Sequence, residues 1–169
     1  CDGDRIYYKP EYIIKLYESN PILVNRVYLH MLLHCILRHM MKCGKRNKDF
    51  WNLACDIVVE SILDSFPYRC VHLPVHGKRR NLYRELKKSM KVLTAEKVYA
   101  WLVDQNLSAE HFMELVLEFR KDDHSFWDFP EQDMEQRIQT LDNKWQNIGE
   151  KTQTEMETFA KDQEEEAGE

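Results

Sequence analysis

The segment Tyr28-Leu29-His30-Met31-Leu32-Leu33-His34-Cys35-Ile36-Leu37-Arg38-His39 decides how the rest of the chain is read. Asn20-Pro21 ahead of it is a strong helix start: Asn accepts an unpaired first-turn N–H, and Pro fits the first helical position. The pattern predicts a helix from Pro21 to Cys43, stopped by Gly44 in the left-handed region. Leu23, Val24, Val27, Leu32, Leu33, Ile36, Leu37 and Met40 make it apolar on nearly every face, which predicts the buried central helix. Four residues turn a helix through about 400°, so His30 and His34 stand one turn apart and within about 40° of each other. Two imidazoles so placed can hold one metal ion; the alternative is a pair of core histidines hydrogen-bonded to neighbours. Burying both without a partner is costly, and one metal ion satisfies both together. His39 lies about half a turn round from His30 on an unbroken helix, so it joins the pair only if the helix bends.

Working outward, Lys45 to Lys48 form a basic loop and Asp49 is the expected cap of a second helix, Phe50 to about Phe66. On it Asn52, Asp56 and Glu60 recur every four residues and share a face. That stripe reads either as the wet side of an amphipathic helix or as the source of a third ligand. Asp56, set among Ala54, Cys55, Ile57, Val58 and Val59, is the better ligand candidate, because a short-looped helical hairpin brings the two faces together. Cys35 and Cys55 are read as core residues. Upstream, Asp2-Gly3-Asp4 is a turn signal, Arg5-Ile6-Tyr7-Tyr8 a short strand, and Glu11 to Tyr17 one or two helical turns. Downstream, residues 67–80 are irregular and carry His72 and His76. Helices are expected near 81–91, 94–105 and 108–121, with Thr94 and Ser108 as caps. Asp122 to Pro130 is a connector in which Asp122, Asp123, His124 and Trp127 group polar ligand types with an aromatic. Met134, Ile138, Leu141, Trp145, Ile148, Thr152, Met156 and Phe159 then recur at steps of three and four, a narrow apolar seam on a long helix.

The chain has 169 residues, 43% hydrophobic and 31% charged, with only five Gly and five Pro. That composition excludes a disordered chain and argues against a β-sandwich or barrel. The expected class is mainly α (α+β), with the short strand or a hairpin at the start and the amphipathic helix at the end. The net charge of -5 conceals a division: the residues from Pro130 onward carry -8, and the rest +3. The organisation read from this is a compact part, residues 1–129, and an acidic helical connector, 130–169. No apolar run approaches the ~18 residues of a membrane helix, and no signal peptide opens the chain. With an odd number of irregularly spaced cysteines, five, the expected location is the reducing cytoplasm, with no membrane partner. Seven bases between Lys78 and Lys91 form a patch with no recognisable nucleic-acid motif; its expected partner is the acidic tail, in this chain or another copy.

The runs DGDRIYYKPEYI, LHMLLHCILRH and KRNKDFWNLACDIVVESIL resemble the bacterial zincin-like metallopeptidase domain found upstream of a von Willebrand factor A-like domain. The resemblance covers residues 2–66, and WQNIGEKTQTEMETFAKDQEEEAGE is similar to the connector preceding the A-like domain. It implies a zincin-like helical core and an amino-terminal half of a longer protein. It also implies zinc held by His30 and His34, with Asp56 as third ligand and His39 as the trailing histidine of the metal set. As partners it implies a MoxR-type AAA ATPase and a protein or peptide client. One departure is decisive for activity. Met31 follows His30 where such peptidases carry the Glu that acts as general base, and Met has no titratable group. The expected function is therefore a degenerate, metal-binding scaffolding module, not an efficient peptidase. The alternative is an active zinc-dependent hydrolase in which Glu60 serves as a non-standard catalytic base.

Overall fold

The computed structural model describes residues 1–128 and 134–167, with side chains to residue 161. By its internal contacts the chain divides into two units, Cys1–Asp128 and Phe129–Glu169. The expected boundary at residues 129/130 falls outside the described residues. The first unit holds six α-helices: α1 (Pro10–Ser19), α2 (Pro21–Ile36), α3 (Lys48–Ser65), α4 (Gly77–Ser89), α5 (Ala95–Asp104) and α6 (Ala109–Phe119). Two 3-10 turns, His39–Met41 and His124–Trp127, complete it. The second unit is one long helix, α7 (Met134–Ala167), whose surface is tied by four-residue pairs such as Gln139 to Asn143 and Gln153 to Glu157. The architecture is mainly α, and no helix of the described residues is long and apolar enough to cross a membrane.

Several caps act as the composition dictates. The side-chain oxygens of Asn20, Thr94 and Ser108 accept the backbone N–H of Ile22, Lys97 and His111. At α3 the cap is Asn47, which accepts from Phe50 N, and not the expected Asp49, which lies inside the first turn.

Three expectations are corrected. Arg5 to Tyr8 form no strand, and no strand occurs among the described residues, so the α+β element of the expected class is absent there. Asp2 takes over this segment instead: its carboxylate accepts the N–H groups of Asp4 and Arg5 and the Tyr7 hydroxyl, closing a turn. The second correction concerns α2, which ends at Ile36 and not Cys43, because Arg38 adopts a left-handed conformation at φ 59°. Gly44, also left-handed at φ 58°, lies inside the next turn, closed by Arg46 N donating to the Cys43 carbonyl.

The third is the identity of the central helix, which is α3. It packs on α2, α5 and α6 and buries Trp51, Leu53, Ala54, Cys55, Ile57, Val58, Val59 and Leu63. Leu53, Ala54, Ile57 and Val58 meet Leu82 and Leu86 of α4, Val98 and Leu102 of α5, and Leu115 and Phe119 of α6 in one apolar core. By contrast, α2 buries Arg26, His30, Met31, His34 and Cys35, while its aliphatic residues are half-buried or exposed. A helix that turns its polar residues inward needs a polar partner, and the other face of α3 supplies one.

Candidate metal centre

α2 presents His30 and His34 to Asp56 on α3, at the centre of the first unit. His30 and His34 have 0% and 0% of their surface exposed, and Asp56 2%. His30 Nε2 and His34 Nε2 are 3.0 Å apart, and each approaches Asp56 Oδ1, at 3.2 and 3.3 Å. Two further groups enter from the connector. His124 Nε2 lies 3.3 Å from Asp56 Oδ1 and 2.7 Å from Asp122 Oδ1, and Asp122 Oδ1 lies 3.6 Å from His30 Nε2. One ligand atom from each of His30, His34, Asp56, Asp122 and His124 lies within 4.8 Å of all the others.

These separations fit the shell of a metal ion. Donors at about 2.1 Å from a first-row divalent ion are about 3.4 Å apart in tetrahedral geometry and about 4.2 Å apart when they face each other across it. Hydrogen bonds satisfy only part of the set, His30 Nε2 pairing with Asp56 Oδ1 and with His34 Nε2. Both carboxylate oxygens of Asp122 and Nε2 of His124 are buried without a hydrogen bond, and the 2.7 Å approach of His124 Nε2 to Asp122 Oδ1 is an ion pair that lacks hydrogen-bond geometry. The donor set is three imidazoles and two carboxylates, the nitrogen and oxygen ligands that zinc and its neighbours take.

The surroundings orient the donors. Glu60 Oε1 lies 2.9 Å from His30 Nδ1; a proton held there leaves Nε2 of neutral His30 as a lone pair facing Asp56 and His34. His39, brought back by the break after Ile36, lies against the far side of His34, Nδ1 to Nδ1 at 3.0 Å. It sits beside the cluster of five and is not one of them. The Trp51 indole N–H donates to the His39 carbonyl and fixes that turn. Trp127 stacks on His124 with ring centres 3.8 Å apart and meets His34 edge-on.

Electrostatics follow from burial and proximity. Burial alone lowers a histidine, but the carboxylates of Asp122, Asp56 and Glu60 outweigh it and hold His30 well above its ordinary value. His124, buried between Asp56 and Asp122, is likewise pushed up, to about 9. His34 is lowered to about 4, chiefly by burial and by the positive charge of His30 and His124. Burial also lowers His39. Against the cost of burial, the same histidines hold Asp56 and Asp122 far below the usual carboxylate range.

Glu60 belongs to a second network. Its Oε2 accepts from Arg26 at 3.0 Å and Arg79 at 2.6 Å, and both guanidiniums also grip Asp64. Burial pushes Glu60 up, yet His30 and Arg79 hold it down, at about 2. This network forms one wall of a cavity of about 450 Å³, also lined by Tyr12, Leu23, Val27 and Lys121, with exposed His76 at its rim. His72 is exposed and away from that lining. Lys78 and Arg79, assigned by charge to the acidic tail, pair instead with Glu114 and with Glu60, Asp64 and Glu118.

The structure thus brings His30, His34 and Asp56 together, sets His39 and Glu60 against the ring nitrogens on their outer side, and adds Asp122 and His124. The sequence signal for the last two was only their composition beside Trp127; no helical spacing connects them to α2 or α3. Searches among curated proteins and among solved structures returned no match. A family described as "Putative metallopeptidase domain" matches residues 1–169, the whole chain. With its histidine and aspartate cluster able to hold a metal ion, the chain belongs to that metallopeptidase-domain family.

Proposed function

We propose that this chain is a zinc-binding member of its family that does not work as a peptidase and serves as a binding or scaffolding module. The observation that carries this reading is the closure of the centre: its metal-facing side chains are at most 5% exposed, so no peptide reaches them in this conformation. A catalytic zinc site keeps one position open to water or substrate, whereas a structural site does not. The residue after His30 is Met31, itself buried at 7% exposure and without a proton to give or take. Zinc bound here would supply positive charge that neutralises two buried carboxylates, together with Lewis acidity. The chain's own residues orient it: Glu60 sets the His30 ring and His39 packs against that of His34.

A second reading, an active hydrolase with Glu60 as base, is favoured by one observation, that Glu60 lines the 450 Å³ cavity. A carboxylate held at about 2 by two arginines and a histidine is a weak base at neutral pH, which supports the first reading. We further infer a zincin-like arrangement of α2 and α3, a cytoplasmic location supported by five cysteines that form no disulfide, and residence upstream of an A-like domain. A MoxR-type AAA ATPase and a protein or peptide client remain the proposed partners, on the family resemblance.

The test is a peptide-library assay, with zinc supplied, of the wild type against Met31→Glu. The expected result is no cleavage by the wild type, with any cleavage confined to the variant. Wild-type cleavage equal to that of Met31→Glu overturns the scaffolding reading in favour of the Glu60 one.

A further inference from the structure

Loops run over protein surfaces because their backbone and side chains need water, so two buried ionisable side chains on a connector require a cause. Asp122 and His124 are such a pair, each with 5% of its side chain exposed, Asp122 on the stretch after α6 and His124 opening the 3-10 turn His124–Trp127. Most of the segment's polar attachments are local or at the surface. Asp123 caps its own turn through Ser125 N, and Lys48 reaches Asp128 at an exposed ion pair. Its one inward aromatic attachment is Trp127 against His124 and His34, while Phe126 stacks on Tyr7 at 4.7 Å on the exposed side. Four of its buried polar atoms, both Asp122 oxygens, His124 Nε2 and the Trp127 indole nitrogen, have no hydrogen bond; His124 Nε2 faces Asp56 and Asp122 Oδ1, and Asp122 Oδ1 also faces His30.

We propose that Asp122 and His124 are the fourth and fifth ligands of the ion, and that the ion latches residues 122–127 over its own site. This rests on the metal-binding reading above and adds to it a division of labour. His30, His34 and Asp56, on two packed helices, are the preformed half of the centre. Asp122 and His124 are the half that arrives with the connector. One ion then takes up the free lone pairs of Asp122 and His124, neutralises the two carboxylates and fastens the connector to the helical core. Release of the segment opens up to two coordination positions, which makes the same residues a metal-dependent cover. Trp127, buried against His124 and His34, gives that cover its aromatic underside.

The experiment uses the full chain and three variants, Asp122→Asn, His124→Ala and His124→Gln, the last retaining bulk beside Trp127. Zinc affinity is measured by chelator competition, cobalt(II) spectra report coordination number, and amide exchange reports residues 120–128 with and without zinc. Circular dichroism confirms that each variant keeps its helices. We expect the wild type to bind one ion in a five-coordinate cobalt spectrum. Each variant should bind at least about tenfold more weakly, since even loss of an outer-sphere partner costs 10–100-fold. Zinc should slow exchange over 122–127 in the wild type and not in the variants. Wild-type affinity in all three variants, with exchange of 122–127 indifferent to zinc, overturns the latch while leaving metal binding intact. Absence of metal binding by the wild type overturns both.

Discussion

The two faces of α3 are built on opposite principles. One face sets Leu53, Ala54, Ile57 and Val58 against α4, α5 and α6, where contact alone is stabilising and any well-shaped apolar neighbour serves. The other sets Asp56, Glu60 and Asp64 at four-residue steps against Arg26, His30 and His34 of α2. Here burial is a cost until each charge meets its counterpart. The apolar face is complete within the protein. The polar face is complete at Glu60 and Asp64, where arginines close the network, and incomplete around Asp56, where atoms of Asp122 and His124 without a hydrogen bond converge. The difference teaches where an external ligand belongs: at the end of the stripe that no arginine closes and that only histidines face.

Perturbing each face separates the two principles. On the apolar face, Leu102→Ala, at a residue with 0% exposure, should cost about 2–5 kcal/mol in urea unfolding, by the same amount with zinc or with chelator. On the polar face, His34→Ala should abolish the zinc-dependent part of stability. That part is about 4 kcal/mol at free zinc a thousandfold above its Kd, and chelator should remove it from the wild type. Glu60→Gln should act more mildly, weakening zinc binding about 10–100-fold through loss of the carboxylate behind His30, with α-helix content retained.

The smallest effect is one of pH. In the metal-free protein His124 is raised to about 9. Its contribution to stability is therefore complete below its unfolded value, about 6.5, and is lost as pH rises through 9. Zinc binding has the opposite slope, because it must displace the protons that the carboxylates hold on His124 and His30. Denaturation between pH 6.5 and 8.5 should show chelated protein losing stability with rising pH while the zinc increment grows. Parallel slopes would break the comparison.

Much of the helical framework was legible because its signals are local. The caps at Asn20, Thr94 and Ser108 and the four-residue step from His30 to His34 need only a few neighbouring residues to be read. What escaped depended on distant contacts. The end of α2 lies where Arg38, not a glycine, adopts φ 59°, and that break returns His39 to His34. The stretch from Arg5 to Tyr8 has β-favouring residues but no strand beside it, and Asp2 captures its backbone. The apolar surround of α2 marked it as central, whereas α3 takes that place because its apolar and ionic faces are both covered. Asp122 and His124 sit more than sixty residues beyond Asp56, and no periodicity links a connector to a helix.

The most direct test of the account is the metal content of the full chain purified without chelator, beside a His30→Ala, His34→Ala double variant. The account predicts about one equivalent of zinc in the wild type and loss of it in the variant. Less than about a tenth of an equivalent in the wild type, unchanged in the variant and not raised by added zinc, would contradict it.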